Sequence, residues 1–360
     1  MKPAIRFVVC MALSMSAPLG ACCMVPTSYP GDVDQNRQDV VILHHDGHQE
    51  LVIRVAPFFK GSDVLPEYCA WVLTVPSKPT GYGEISDAVF GEAQRLYQRL
   101  EAERERAERM KSATNSNDAA SAAGGGYRGL NIADPISVGP FTITEVTTEG
   151  EEAVGELNRY LGDNGFPKED LGHMSYFARN NFTFLCIKIL PKQGMKTLGK
   201  HLDLPALRVG FETKSPYYPG KFSSQQGNFA LGLTLLTSDP VDESEIRAIR
   251  ERLNATRPRY DNLWTEGKLG GELEKLTLLD SFSDVDRWYV NAFPSLGFNE
   301  KDGQSKPAIA GWTTDVFFPL TVDAGAFLRS PWLYGVLALG CIAAAIWIVK
   351  RPKAQLGEQG

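Results

Sequence analysis

The feature that most constrains this chain is an uncharged apolar run near its C-terminus. Pro331-Trp332-Leu333-Tyr334 leads into residues 335–349, which carry no charged side chain, and the run stops at Lys350-Arg351-Pro352-Lys353. A helix rising about 1.5 Å per residue needs roughly 20 apolar residues to cross a hydrocarbon core about 30 Å thick. Segment 331–349 meets that length, has Trp332, Tyr334 and Trp347 near its two edges, and lacks the polar stripe of a helix packed on a globular core. It predicts a transmembrane helix, and the basic cluster beyond it predicts that residues 350–360 are cytoplasmic.

The N-terminus predicts the opposite side for the rest. Lys2 and Arg6 precede the apolar stretch 7–15 and the small-residue segment Ala17-Pro18-Leu19-Gly20-Ala21. That order is the layout of a signal peptide, 1–21, cleaved after Ala21, and its apolar run is too short to stay in a bilayer. Leu19-Gly20-Ala21-Cys22 is also similar to a bacterial lipobox, with glycine a departure two residues before the cysteine. Cys22 therefore has two possible fates: acylation, or ordinary exposure at the mature end with Cys22 and Cys23 as thiols or disulfide partners. The expected protein is single-pass in the cell membrane, with an extracytoplasmic domain on the periplasmic or cell-surface side.

Between the ends lie about 300 residues, enough for one large domain or two modest ones. The net charge is −6 and lysine and arginine are dispersed, so no basic stripe exists to follow a nucleic-acid backbone. Of six cysteines, Cys10 and Cys341 fall in the two apolar ends, leaving Cys22, Cys23, Cys69 and Cys186 outside. Cys69 and Cys186 sit in apolar, strand-like runs and could form a disulfide if those strands are neighbours, or remain buried thiols.

Valine and isoleucine runs at 40–43 and 51–55 flank His44-His45-Asp46-Gly47-His48, which predicts a hairpin turning at Asp46-Gly47. His44, His45 and His48 are the candidate metal ligands, yet strand alternation would send His44 and His45 to opposite faces, and an exposed polar turn is the competing interpretation. Residues 68–76 form a further strand with Trp71 in the core. The pattern turns helical over 87–110, with an early half that can pack and a later half that is polar all round, stabilised by acid-base pairs at helical spacing. Residues 112–126, rich in Ser, Ala, Asn and Gly, predict a flexible linker. Strands are expected at 136–144, 182–190, 207–212 and 229–236, and helices at 151–162, 168–179 and 243–253. The sum is an α+β ectodomain, with a mixed, largely antiparallel sheet and packed helices. Residues 238–330 are an aromatic-rich extension, with Trp264, Trp288 and Trp312 as packing anchors.

The order of these segments resembles domain of unknown function 2330, a bacterial family of exported proteins. The resemblance rests on the cysteine near the mature start, on Asp34-Gln35 leading into the hairpin, and on Cys69-Ala70-Trp71-Val72-Leu73-Thr74-Val75-Pro76-Ser77-Lys78-Pro79. It continues through the segments 136–141 and 157–166, the strand 182–190, and 204–211 with Tyr217-Tyr218-Pro219. It covers 22–237 and departs at Thr74, where the pattern has proline, and in the charged helix and linker inserted between Phe90 and Arg128. It implies location and fold but supplies no mechanism.

No nucleophile elbow, Walker loop, dinucleotide fingerprint or His-Glu-x-x-His helix occurs, and no cofactor is expected. His201 with Asp203 could orient a base for Cys186 or a serine if the fold joined them. The carboxylate pairs Glu151-Glu152 and Glu272 with Glu274 sit in polar contexts. The expectation is a non-enzymatic binding module for an envelope protein or other envelope ligand. The alternatives are an envelope hydrolase or metal-dependent enzyme, and a structural membrane protein whose span pairs through Gly335, Gly340 and Ala344.

Overall fold

The hairpin at Asp46-Gly47 extends well beyond its two apolar runs. The computed structural model describes residues 23–26, 28–111, 131–148, 153–166, 171–223, 229–252, 260–293 and 315–321. In it β1 (Cys23–Met24) precedes β2 (Asp32–His45), which turns back into β3 (His48–Lys60). Asp46 and Gly47 both have positive φ, 42° and 80°, as a two-residue type I′ turn requires. The signal segment 1–21, Cys22, the linker 112–126, the span 331–349 and the tail 350–360 lie outside the described residues. Among the described residues no helix is long and apolar enough to cross a membrane.

Next come β4 (Cys69–Val75), β5 (Pro79–Ile85), α1 (Ala88–Lys111), β6 (Asn131–Ile132), β7 (Ile136–Val138) and β8 (Phe141–Thr147). The strand expected over 136–144 is thus two strands, because Gly139, at φ 53°, and Pro140 turn the chain back on itself. Then follow α2 (Ala153–Asp163), α3 (Leu171–Arg179), β9 (Thr183–Ile189), β10 (Ala206–Glu212), β11 (Tyr217–Tyr218), α4 (Gly220–Ser223) and β12 (Ala230–Thr237). The last described part holds α5 (Glu243–Arg252), β13 (Leu263–Glu266), α6 (Gly271–Thr277), β14 (Arg287–Phe293) and β15 (Val316–Phe317).

The result is a mixed α+β fold with two large sheets. One has the order β1-β4-β9-β8-β6, with β7 also on β8, and is antiparallel throughout. The other has the order β13-β14-β12-β2-β3-β10-β5, antiparallel except where β12 runs parallel to β2. The extension beyond residue 237 therefore supplies two strands, β13 and β14, to the same sheet as the hairpin.

Alternation along β2 and β3 explains the layering. Val40, Ile42, Leu51 and Ile53 share a core with Trp71, Leu185 and Ile187 of the facing sheet, whereas Val41, Leu43 and Val52 pack under helices. The helical cover on that second face is the early half of α1, through Val89, Ala93, Leu96, Tyr97 and Leu100, together with Leu273 and Leu276 of α6. The later half of α1 carries the ion pairs Arg104–Glu108 and Arg109–Glu105, as its composition predicts. On the outer side of the six-stranded sheet, α3 sets Phe177 against Phe184, ring centroids 6.1 Å apart.

One open alternative is decided and one expectation needs correction. β4 and β9 are neighbours, but their register puts Cys69 opposite Ile189 and Cys186 opposite Val72, so the two thiols point to opposite faces. Cys69 and Cys186 are free thiols, and both are buried, as is Cys23. Of the tryptophan anchors, Trp288 is buried, but Trp264 lies on the edge strand β13 and is 49% exposed, with the Arg287 guanidinium 4.5 Å over its ring. Trp312 lies outside the described residues.

Candidate functional site

The three histidines of the turn find three separate sets of partners. His44 points into the sandwich and donates from Nε2 to the Thr213 carbonyl at 2.8 Å. Burial pushes its pKa down to about 4, so the ring is neutral. His45 points the other way, its Nε2 3.2 Å from Asp284 Oδ1. His48 sets Nδ1 3.0 Å from Glu212 Oε1 and Nε2 3.3 Å from Glu50 Oε1, and the hydrogen bond to Glu50 is the main cause of its raised pKa. Arg208 Nη1 donates to the same Glu50 oxygen at 3.0 Å. This is an ion network across β3 and β10. Among the described residues no group of three or more His, Cys, Asp or Glu side chains is placed to hold a metal ion.

His201 and Asp203 do line a cavity. A cleft of 730 Å³ opens where the loop between β9 and β10 passes the end of β5 and the β7–β8 turn. Its walls include Glu84, Ile85, Pro140, Leu190, Lys192, Met195, Leu198 and Leu204 beside His201 and Asp203. Leu190 and Met195 are exposed apolar side chains there. The exposed His201 ring stacks on Phe58, centroids 6.0 Å apart. Glycine suits position 139, because φ is positive and a Cβ there would displace the Glu84 carboxylate. Cys186 is not part of this constellation: it is fully buried behind the six-stranded sheet, and burial alone pushes its thiol up to about 12.

A second cleft, of 530 Å³, lies between the outer face of the seven-stranded sheet and α1. Its floor is a chain of charges. Arg37 Nε donates to Asp39 Oδ1 at 2.7 Å, Arg54 Nη2 to Asp39 Oδ2 at 2.7 Å, and Arg54 Nη1 to Asp87 Oδ2 at 2.8 Å. The Arg54 guanidinium also lies 5.3 Å over the Phe90 ring. Asp39 is buried, as a carboxylate can be when two guanidiniums hold it. Asp87 lines both clefts, so they meet at the start of α1. None of these floor residues stood out in the sequence. The available signal was charge inside apolar strands: Asp39 directly before Val40, and Arg54 between Ile53 and Val55.

No curated protein and no solved structure matches the chain. One family does, over residues 17–262, which takes in both clefts almost entirely and the hairpin, the six-stranded sheet and the centre of the seven-stranded one. The match continues past β12 and α5, beyond the 22–237 span of the sequence resemblance. With most of its length so covered, the chain belongs to DUF2330, the family described as an uncharacterized protein conserved in bacteria.

Proposed function

We propose that the chain is a membrane-anchored binding module of the bacterial cell envelope, with its folded domain extracytoplasmic and periplasmic or cell-surface. Residues 331–349 span the membrane and residues 350–360 form a cytoplasmic tail. The observation that carries the binding role is the 730 Å³ cleft, within the range of about 300–1,000 Å³ common to ligand sites and lined by apolar and polar side chains in nearly equal number. Exposed Leu190 and Met195 favour an occupant with apolar surface, because such side chains gain by being covered. The charged and apolar ends of the sequence support the anchoring.

A photoreactive benzoylphenylalanine at Met195, in the full chain expressed in a bacterium, tests the cleft. It should capture one defined envelope component, whereas the same residue at Val64, more exposed but outside the cleft, should not. Protease digestion of spheroplasts tests the topology: cleavage should remove the folded domain and spare a C-terminal tag. Equal adducts at both positions, or a folded domain protected in intact spheroplasts, would refute the corresponding half of the reading.

A further inference from the structure

The second cleft has a chemistry of its own. Its hydrogen-bonding groups are nearly all planar and two-pronged: the guanidiniums of Arg37 and Arg54, the carboxylates of Asp39 and Asp87, and the carboxamides of Gln94 and Gln98 on the facing side of α1. Guanidinium carries five N–H donors in a fixed fork, and Arg37 spends only its Nε–H on Asp39. A carboxamide presents a donor and an acceptor side by side. Such pairs match neighbouring hydroxyl groups, each of which gives one hydrogen bond and takes another.

Charge narrows the ligand further. Each guanidinium is already bonded to a carboxylate, and among the described residues no lysine or histidine lines the cleft. A phosphate or other anion would meet no unbalanced positive charge among these groups. Phe90, Val41 and Ala292 supply apolar surface for C–H groups.

The site is also built to stay open. Gly232 forms part of the floor, and a Cβ there would lie 3.0 Å from Asp39 Oδ1 and 3.3 Å from Arg37 Nη2, so a side chain would press on the charged pair. The linked chain Arg37–Asp39–Arg54–Asp87 holds its members in place before any ligand arrives, which lowers the ordering cost of binding.

We propose that this cleft binds a neutral polyhydroxylated ligand, an uncharged oligosaccharide. Hydroxyl pairs of the sugar bond Arg37, Gln94 and Gln98, and Asp39 and Arg54 act as the fixed floor beneath them. The inference is independent of the larger cleft's ligand.

The test uses the full chain in phospholipid nanodiscs, which avoid sugar-headed detergents that would compete. Titrations are run with fluorescently labelled cellohexaose, maltohexaose and N-acetylchitohexaose, and with a hexagalacturonate as the anionic counterpart. Saturable binding of at least one neutral hexasaccharide is expected, with little change on adding sodium chloride. Gln94→Leu combined with Gln98→Leu should weaken it about tenfold or more. Both positions are exposed on α1, so folding is not at stake, and an unchanged melting temperature verifies it. Gly232→Val, which fills the floor, is the second blocking variant. The proposal is overturned if none of the three neutral sugars binds saturably, if the glutamine variant binds as tightly as wild type, or if hexagalacturonate binds best. Failure here leaves the Met195 cross-linking result untouched, so the two readings fall separately.

Discussion

Tyr82 donates its phenol proton to Glu145 at 3.0 Å and so ties the edge strand β5 of one sheet to β8 of the other. Burial, reinforced by the Glu145 charge, holds the phenol well above its usual pKa, so it remains a donor at any ordinary pH. Tyr82→Phe leaves the buried carboxylate without that donor and should cost about 1–3 kcal/mol in urea denaturation. A loss below about 0.5 kcal/mol would mean that the bond contributes nothing net.

His44 should make the fold sensitive to acid. Its folded pKa of about 4 lies below the ordinary 6.5, so the unfolded chain takes up a proton that the native state refuses. Stability from this group is present above pH 6.5 and lost as pH falls towards 4, on the order of 3 kcal/mol in all. His44→Gln can keep a donor for the Thr213 carbonyl, and its unfolding free energy should lack that rise with pH.

Asp315 should act in the opposite sense. It is buried, accepts from the Lys221 N–H at 3.1 Å through Oδ1, and burial raises its pKa from 3.8 to about 7. The native state therefore holds a proton that the unfolded chain releases, and stability falls as pH rises from 3.8 to about 7. Between pH 4 and 6.5 the two slopes nearly cancel in the wild type. Asp315→Asn should uncover the upward slope of His44 and should be the more stable protein at pH 8, as thermal melts across the range would show.

Arg54 holds Asp39 from one side and Asp87 from the other. Arg54→Met strips a buried carboxylate of one guanidinium and frees the start of α1, with an expected cost of about 2 kcal/mol. Arg37→Met, whose side chain is half exposed, should cost less than about 1 kcal/mol. Equal losses in the two variants would contradict this ranking.

Cys69 and Cys186 should both react with iodoacetamide without prior reduction, but only in denaturant. Peptide mapping that finds them joined, or alkylated in the native protein, would contradict their free and buried state.

Much of the frame could be read from the residues. The apolar runs that became β2, β3, β4, β9 and β12 are buried on both faces or nearly so, and such strands announce themselves by composition. β5 was hidden because Pro79, Gly81 and Gly83 read as a turn, yet an edge strand tolerates them. β14 was hidden because Arg287 and Asn291 break its apolar run. Asn291 is fully buried and its side-chain amide pairs with Asn262, a partner that the fold alone supplies.

The charged floor was closer to legible than it seemed. A two-residue turn at Asp46-Gly47 pairs His45 with His48, and counting outward along the hairpin pairs Asp39 with Arg54. The link to Asp87 and the roof of α1 were not legible, because they depend on how a helix 30 residues further along settles on the sheet. His201 and Asp203 were noticed for a catalytic role. The structure gives them a wall of a cleft and places Cys186 behind a different sheet face.

The parallel seam between β2 and β12 has a consequence for the order in which the protein can assemble. The middle of the seven-stranded sheet comes from residues 32–60, but one flank of β2 stays unpaired until residues 230–237 arrive, and β14 closes over β12 only at 287–293. A chain emerging N-terminus first therefore presents a long, apolar, hydrogen-bond-hungry edge through most of its own synthesis, the kind of edge on which chains aggregate. Holding that edge apart from its neighbours is a task for whatever accompanies the nascent chain, and truncation before residue 230 would make the exposure permanent.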